Sequence, residues 1–372
     1  MVMTRGATNP EESRLLPGAR WMDETMIRRT DVRALLRSEI LRAAGCTEPA
    51  SVAYAFMKAR RMLGRAGRPK SARLTLEASP EVLRNAATAV VPYLNRRGLR
   101  AVVAAGLTSR ADRYNLFPSV DHFKAAALLR KRGWLKTRPV RGRKGIYIKA
   151  TITLPGETVS VVIEGHHDEI RSISRNGRTV FRAPRRRERI LCLEDIMTVA
   201  RWRDRGMENI ARDFLLRQVR GRPGQPLPER VANLVRARML GSPAPIMTIV
   251  GSGNHGIFLG VPFYDLYRRQ GDRILPAVVL ALLVVIQRTA QRKRISAECG
   301  LGTKAAPALA AGLALTRGAD LPTLQCLMTS ISRKLCGMKC HGARSSCGRK
   351  AARALQTVLA EVGQTLSGGV SS

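Results

Sequence analysis

Ile146-Tyr147-Ile148-Lys149-Ala150-Thr151-Ile152-Thr153-Leu154 alternates apolar and polar residues and ends on the turn pair Pro155-Gly156; Thr158-Val159-Ser160-Val161-Val162-Ile163 takes up the alternation on the far side. Successive side chains of a strand point to opposite faces, so a period of two interrupted by Pro-Gly predicts an antiparallel hairpin. Asn176-Gly177 marks a second tight turn, between Ile170-Arg171-Ser172-Ile173 and Thr179-Val180-Phe181. Asn-Gly accepts the positive φ values of a two-residue hairpin turn. The rest of the chain reads mainly helical. The expected fold class is therefore α+β, predominantly helical with a small antiparallel β-sheet segment.

Working outward from the hairpins, Ala72 to Leu76 reads as a strand, Pro80 to Ala89 as a helix, and Asp121 to Arg132 as an amphipathic helix. Before them, a helix is expected over Arg29 to Ala43 with Leu35, Leu36, Ile40 and Leu41 on its apolar face. A second helix follows Cys46, runs to Leu63, and is broken by the basic stretch Gly64 to Lys70. Met1 to Thr25 reads as a loose tail. After the hairpins, Leu191 to Val362 reads as almost wholly helical, punctuated at Gly221 to Pro228, Gly241 to Pro245 and Gly251 to Gly256. The apolar run Ile274 to Ile286 is too short to cross a bilayer and reads as a buried core helix. Four segments result: 1–26, 27–70, 71–189 and 190–366. No repeat of solenoid length is present.

The chain has 372 residues, enough for one large core or two moderate ones, and 45% are hydrophobic, which excludes a wholly disordered protein. The formal net charge of +38 is spread along the chain, with dense runs at Lys58 to Lys70, Lys131 to Lys144 and Arg182 to Arg189. Such a field suits a polyanion, nucleic acid included. Aromatic residues are only 4% and none is interleaved at stacking spacing, so a general bias toward arginine is the favoured explanation. Met1 to Glu12 contains no apolar export segment, and seven unevenly spaced cysteines form no disulfide framework. Reduced thiols in the cytoplasm are expected.

Four elements carry chemistry. In Gly45-Cys46-Thr47-Glu48-Pro49 a thiol precedes a helix start, where Thr47 can cap and the helix dipole favours thiolate. Gly251-Ser252-Gly253-Asn254-His255-Gly256 has three glycines that allow close backbone approach to a ligand and polar groups suited to a carboxylate or phosphate. It lacks the preceding strand of a dinucleotide loop and the Lys-Ser/Thr of a Walker loop. In Gly165-His166-His167-Asp168-Glu169 two adjacent histidines cannot enter one site unless the strand has ended, so one of them at most is functional. The lone His122 reads as structural. Finally, Glu298-Cys299-Gly300 and Cys336 to Arg344, with Cys347 beyond, lack the paired spacings of a closed structural zinc site. Cys192 and Cys326 lie in apolar helical stretches and read as core.

Taken in chain order, these elements resemble the L-cysteine desulfidase family, which is related to the alpha chain of iron–sulfur L-serine dehydratases. The similarity rests on Gly45 to Pro49 followed by Ala53-Tyr54-Ala55, on His167-Asp168-Glu169-Ile170 and Asn176-Gly177, on Arg236-Ala237-Arg238-Met239 and Pro245-Ile246-Met247, and on Gly251 to Asn254, Cys299-Gly300 and Cys340-His341-Gly342-Ala343-Arg344. It covers residues 30 to 360.

The resemblance implies a 4Fe-4S cluster on Cys46, Cys299 and Cys340 in a helical catalytic region. It also implies a substrate carboxylate held by Ser252, Gly253 and Asn254, and His167 or His255 as base. The implied reaction is β-elimination on a small L-amino acid: L-cysteine to sulfide, pyruvate and ammonia, or water from L-serine. Expected partners are that amino acid and further copies of the chain, with no membrane. The sequence departs from the family at Arg236, His341 and Arg344, at Asp168-Glu169, and at Tyr93 to Gly98, where a Gly-Thr-Gly turn is expected. Each departure alters polarity near the implied site, which keeps two other readings open: a non-catalytic descendant that binds polyanions, and a thiol protein using Cys46 as nucleophile.

Overall fold

Glu39 ends the first helix and Ile40 begins a strand. In the computed structural model, which describes residues 27–63, 72–111, 116–184 and 190–367, α1 (Arg29–Glu39) is followed by β1 (Ile40–Ala43). The expected helix is thus four residues too long. Its apolar spacing fits either state, and a distant partner decides: β1 pairs antiparallel with β10 (Ile246–Ile249), Ile40 opposite Ile249 and Ala43 opposite Ile246. β-Branched residues at both ends favour this pairing once the two segments meet. The tail over 1–26 and the break over 64–70 lie outside the described residues.

Around the hairpins the structure builds a six-stranded sheet, larger than expected. Its order is β5 (Leu135–Pro139), β2 (Arg73–Ala78), β6 (Tyr147–Leu154), β7 (Glu157–Glu164), β8 (Ile170–Arg175) and β9 (Arg178–Arg182). All neighbours are antiparallel except β2 and β5, which are parallel. Ile148 faces Ile163, Ala150 faces Val161 and Ile152 faces Val159, and all six side chains are buried. They pack on α2 (Thr47–Met62), whose Val52 to Met57 are buried on every side. On the opposite face of the sheet, the Thr151 and Ser160 hydroxyls are 2.9 Å apart. The helices α3 (Pro80–Thr88), α4 (Leu99–Thr108) and α5 (His122–Arg130) complete this body, with the small ladder β3 (Val90–Val91) and β4 (Arg96–Arg97) between α3 and α4. His122 is exposed at the start of α5 and fills no core position.

A second core belongs to the helices α6 (Leu193–Arg201), α7 (Arg205–Leu216), α8 (Leu227–Met239), α9 (Gly253–Gln270), α10 (Leu275–Arg292), α11 (Ala306–Leu315), α12 (Leu321–Lys334) and α13 (Cys347–Ser367). α10 runs through its centre, with Val278 to Val285 buried throughout. The continuous stretch Gly253–Arg292 is long and apolar enough to cross a membrane, yet 72% of its apolar window is already buried inside the fold. Cys192 and Cys326 are exposed rather than core. Cys192 caps α6: its Sγ accepts the Asp195 N–H at 3.3 Å while its own N–H donates to the Asp195 carboxylate at 3.1 Å.

A buried ion pair lies where α1 gives way to β1. Arg294 donates to both carboxylate oxygens of Glu39 at 2.9 and 2.6 Å, with both side chains under one-tenth exposed. A carboxylate removed from such a pair leaves a charge in a medium that solvates it poorly. Glu39→Ala is therefore expected to lower stability by about 3–5 kcal/mol, measured as the shift of the urea unfolding midpoint; a shift equivalent to less than about 1 kcal/mol would mean that water already reaches the pair.

Candidate functional site

The β1–β10 ribbon brings the end of β1, and with it Gly45-Cys46, alongside the turn that leaves β10. The glycine loop thus does have a preceding strand: β10, the residues Val250 and Gly251, then α9. Ser252 is the N-cap of α9, its Oγ accepting the His255 N–H at 3.3 Å. Gly251 is required here. Its φ is +76°, and a Cβ would sit 2.2 Å from Nδ1 of His167. Arg238 locks the two segments together, donating to the Gly45 carbonyl at 2.9 Å and to Asn254 Oδ1 at 3.1 Å.

Cys299 and Cys340 are brought together by a short bridge. Cys299 N–H donates to the Met338 carbonyl and Cys340 N–H to the Ala297 carbonyl, both at 2.7 Å, around a pairing of Glu298 with Lys339. The loop after Cys340 is anchored on α3, where the Ala343 N–H donates to Thr88 Oγ1 at 2.9 Å.

The outcome is one cavity of about 110 Å³ lined by Cys46, Cys299, Cys340, Ser252, Asn254, His167 and His255. A single water needs about 10–15 Å³ on this measure, so a small-molecule ligand has room. Gly253 stands behind the wall: a Cβ there would meet Ile246 and Arg238, so it serves packing. β7 ends at Glu164 and the chain bends over 165–168, which lets the adjacent histidines diverge. His167 enters the cavity. His166 turns away to the Glu39–Arg294 pair, Nδ1 lying 3.5 Å from Glu39 and Nε2 3.2 Å from Arg294.

Three further residues of the cavity carried no assigned role in the sequence reading: Glu48, Arg238 and Lys304. The first two stand inside quoted motifs. The signal for Lys304 is a single lysine in the otherwise apolar stretch that follows Cys299-Gly300. The departures from the family pattern lie elsewhere. Arg236, His341 and Arg344 are exposed, and none of them, nor Asp168 or Glu169, lines the cavity. The polarity they change is that of the surface.

Electrostatics correct the expectation of a ready thiolate at Cys46. Cys46, not Thr47, occupies the N-cap position of α2, and its side chain caps nothing; the thiol donates to Glu48 Oε2 at 2.9 Å. Burial, then the Glu48 charge, push the thiol well above its ordinary range and outweigh the opposing Arg238 charge and Glu48 N–H. Burial likewise pushes Cys299 up to about 11. Burial alone would raise the Glu48 carboxyl, but His167 and the Cys46 thiol outweigh it and hold it well below the usual carboxylate range. Glu48 is thus ionised, with Oε1 3.9 Å from Nε2 of His167, a nitrogen with no hydrogen-bond partner among the described residues.

His255 behaves oppositely. Burial first, then Lys304 and Arg238, push it down to about 3. The unfolded chain binds this proton near pH 6.5 and the folded chain does not, so the contribution of His255 to stability is intact above pH 6.5 and is lost as pH falls toward 3. Urea midpoints at pH 7 and pH 5 should therefore differ more for the unaltered protein than for His255→Gln. Equal differences would show that the imidazole is solvated.

Among the described residues no three His, Cys, Asp or Glu side chains converge closely enough to hold a single metal ion. Three thiols around a cavity walled by Arg238 and Lys304 suit a larger, sulfur-liganded, anionic group instead.

Residues 192–371 match the family model described as serine dehydratase alpha chain. Just under half of the chain is thus similar to serine dehydratase alpha chains. The chain is also similar along most of its length to UPF0597 proteins. That of Caldanaerobacter subterraneus subsp. tengcongensis is 26% identical over 356 residues, covering 85% of this chain and 83% of the relative. That of Nitratidesulfovibrio vulgaris (strain DP4) is 27% identical over 391 residues, covering 87% and 86%. The Methanocella arvoryzae protein is 27% identical over 371 residues, covering 88% and 85%. The serine dehydratase-like region supplies the α9 turn, Cys299, Lys304 and Cys340. Cys46, Glu48 and His167 come from the part of the chain before it.

Proposed function

We propose that the protein is an iron–sulfur-dependent lyase that removes the β-substituent of a small L-amino acid, with L-cysteine as first substrate and L-serine as second. The observation that carries this reading is the meeting of Cys46, Cys299 and Cys340, remote in sequence, in one cavity with the Ser252 turn and His167. The thiols fit a 4Fe-4S cluster: soft donors beside cations, Arg238 and Lys304, that offset the charge of three thiolates. When bound, such a cluster supplies an iron without a protein ligand that acts as a Lewis acid toward the substrate.

The chain's own residues supply the rest. Ser252 and Asn254 orient the substrate at the α9 N-terminus, where free N–H groups and the dipole favour a carboxylate. His167 takes the Cα proton, and ionised Glu48, 3.9 Å from its Nε2, stabilises the imidazolium that results. His255 fits the base less well, because its surroundings oppose a positive charge; it fills the wall beside Gly300, where a Cβ would lie 2.5 Å from its Nε2. As the Cα–H bond breaks, its electron pair forms the Cα–Cβ double bond and sulfide leaves with the β-bond electrons. The aminoacrylate tautomerises and takes up water, giving pyruvate and ammonia.

The test is oxygen-free purification followed by assay of iron, acid-labile sulfide, and pyruvate formed from L-cysteine and L-serine. Iron with sulfide and pyruvate supports the reading. A colourless protein that takes up no iron on reconstitution removes it.

A further inference from the structure

Lys304 is the most buried cation of the site, 1% exposed, and no carboxylate pairs with it among the described residues. Its Nζ donates to the main-chain carbonyls of Lys293 and of Arg294, the latter at 3.2 Å. An ammonium has three donors, so one is left for the cavity that Lys304 lines. The arrangement is built around this group. Lys304 sits on a π-helical turn, Leu301–Ala305, a rare geometry that widens the backbone and is frequent at functional sites. Lys293, whose carbonyl it meets, holds φ +65°, which a residue with a Cβ adopts at a penalty.

A buried charge is retained where something of opposite sign compensates it. Here two neutral carbonyls do so only in part, and burial, reinforced by Arg294 and Arg292, pushes the amine down to about 8. Arg294 is taken up by its bidentate pair with Glu39, and Arg238 donates through both terminal nitrogens to Gly45 and Asn254, its remaining Nε packing against Gly253 rather than facing the cavity.

We propose that the Lys304 ammonium binds the carboxylate of the amino-acid substrate, and so restricts the site to free amino acids over the corresponding amines. This rests on the amino-acid lyase reading above and adds a residue that holds the substrate's acid group together with the Ser252 turn.

Calorimetric titration of the oxygen-free protein with L-serine, and with ethanolamine, which lacks only the carboxylate, tests the proposal. The unaltered protein should bind L-serine at least tenfold more tightly than ethanolamine. Lys304→Met should weaken L-serine about ten- to hundredfold and leave ethanolamine unchanged, the loss of one charge-assisted bond to a carboxylate. Lys304→Gln keeps a donor for the Lys293 and Arg294 carbonyls, so it preserves the turn if the methionine variant does not fold, and it should lose affinity in the same way. Undiminished L-serine binding in a folded Lys304 variant overturns the proposal and leaves the lyase reading intact. Failure of the unaltered protein to bind any amino acid overturns both.

Discussion

Cys299→Ala is expected to yield a folded protein that holds no cluster iron and forms pyruvate only at background. Cys299 is held by the main chain on both sides. Its N–H is fixed to Met338, and the same bridge places Cys340 beside it, so no neighbouring side chain can move into its place without breaking that pairing. Two remaining thiols do not retain a cluster that three support. Because Cys299 is half-buried and pushed up to about 11, its thiol adds no charge that folding depends on, and a small apolar replacement is tolerated. Cys326→Ala is the matched control, since Cys326 is exposed on α12 and lines no part of the cavity. Iron and acid-labile sulfide per chain decide the matter. Equal iron in the Cys299 variant and the control would mean that the thiols are not cluster ligands.

The second large effect is at His167. His167→Asn should lower kcat by about 10²–10⁴, the usual contribution of a positioned base, while iron content stays that of the unaltered protein. The imidazole is 5% exposed, set against Gly251 on one side and Glu48 on the other. Glu48→Gln keeps the shape but removes the charge that favours the imidazolium, so it should reduce kcat less than loss of the imidazole does. Retention of full turnover by His167→Asn, with cluster iron present, would move the base elsewhere and reduce His167 to a wall of the cavity.

What could be read from the sequence follows the range over which each signal acts. The two hairpins announce themselves because alternation and turn residues are local, and β6 and β7 register as Ile148 to Ile163 implies. β1 and β10 are hidden, four residues each, in patterns that also fit a helix, and only their mutual pairing makes them strands. β5 is hidden because Lys136 to Pro139 lie exposed at the sheet edge and carry no alternation of burial. In the site, the cysteines are informative as an ordered set and nearly silent one by one. The environment that sets the protonation of Cys46 and Cys299 is absent from any motif: burial pushes both thiols up, although the local sequence at Cys46 suggests a thiolate. Lys304 is hidden for the same reason, since its partners are the Lys293 and Arg294 carbonyls just past α10 rather than groups of its own turn.

The ribbon between β1 and β10 sets an order of events in the cell. The two strands are separated by about 200 residues of intervening chain, so during translation β1 waits for its partner while the sheet body forms beside it. Until β10 arrives, the thiol at position 46 has no cavity around it and is open to oxidants. If the proposed cluster is built there, its assembly follows the arrival of β10, on a nearly finished polypeptide.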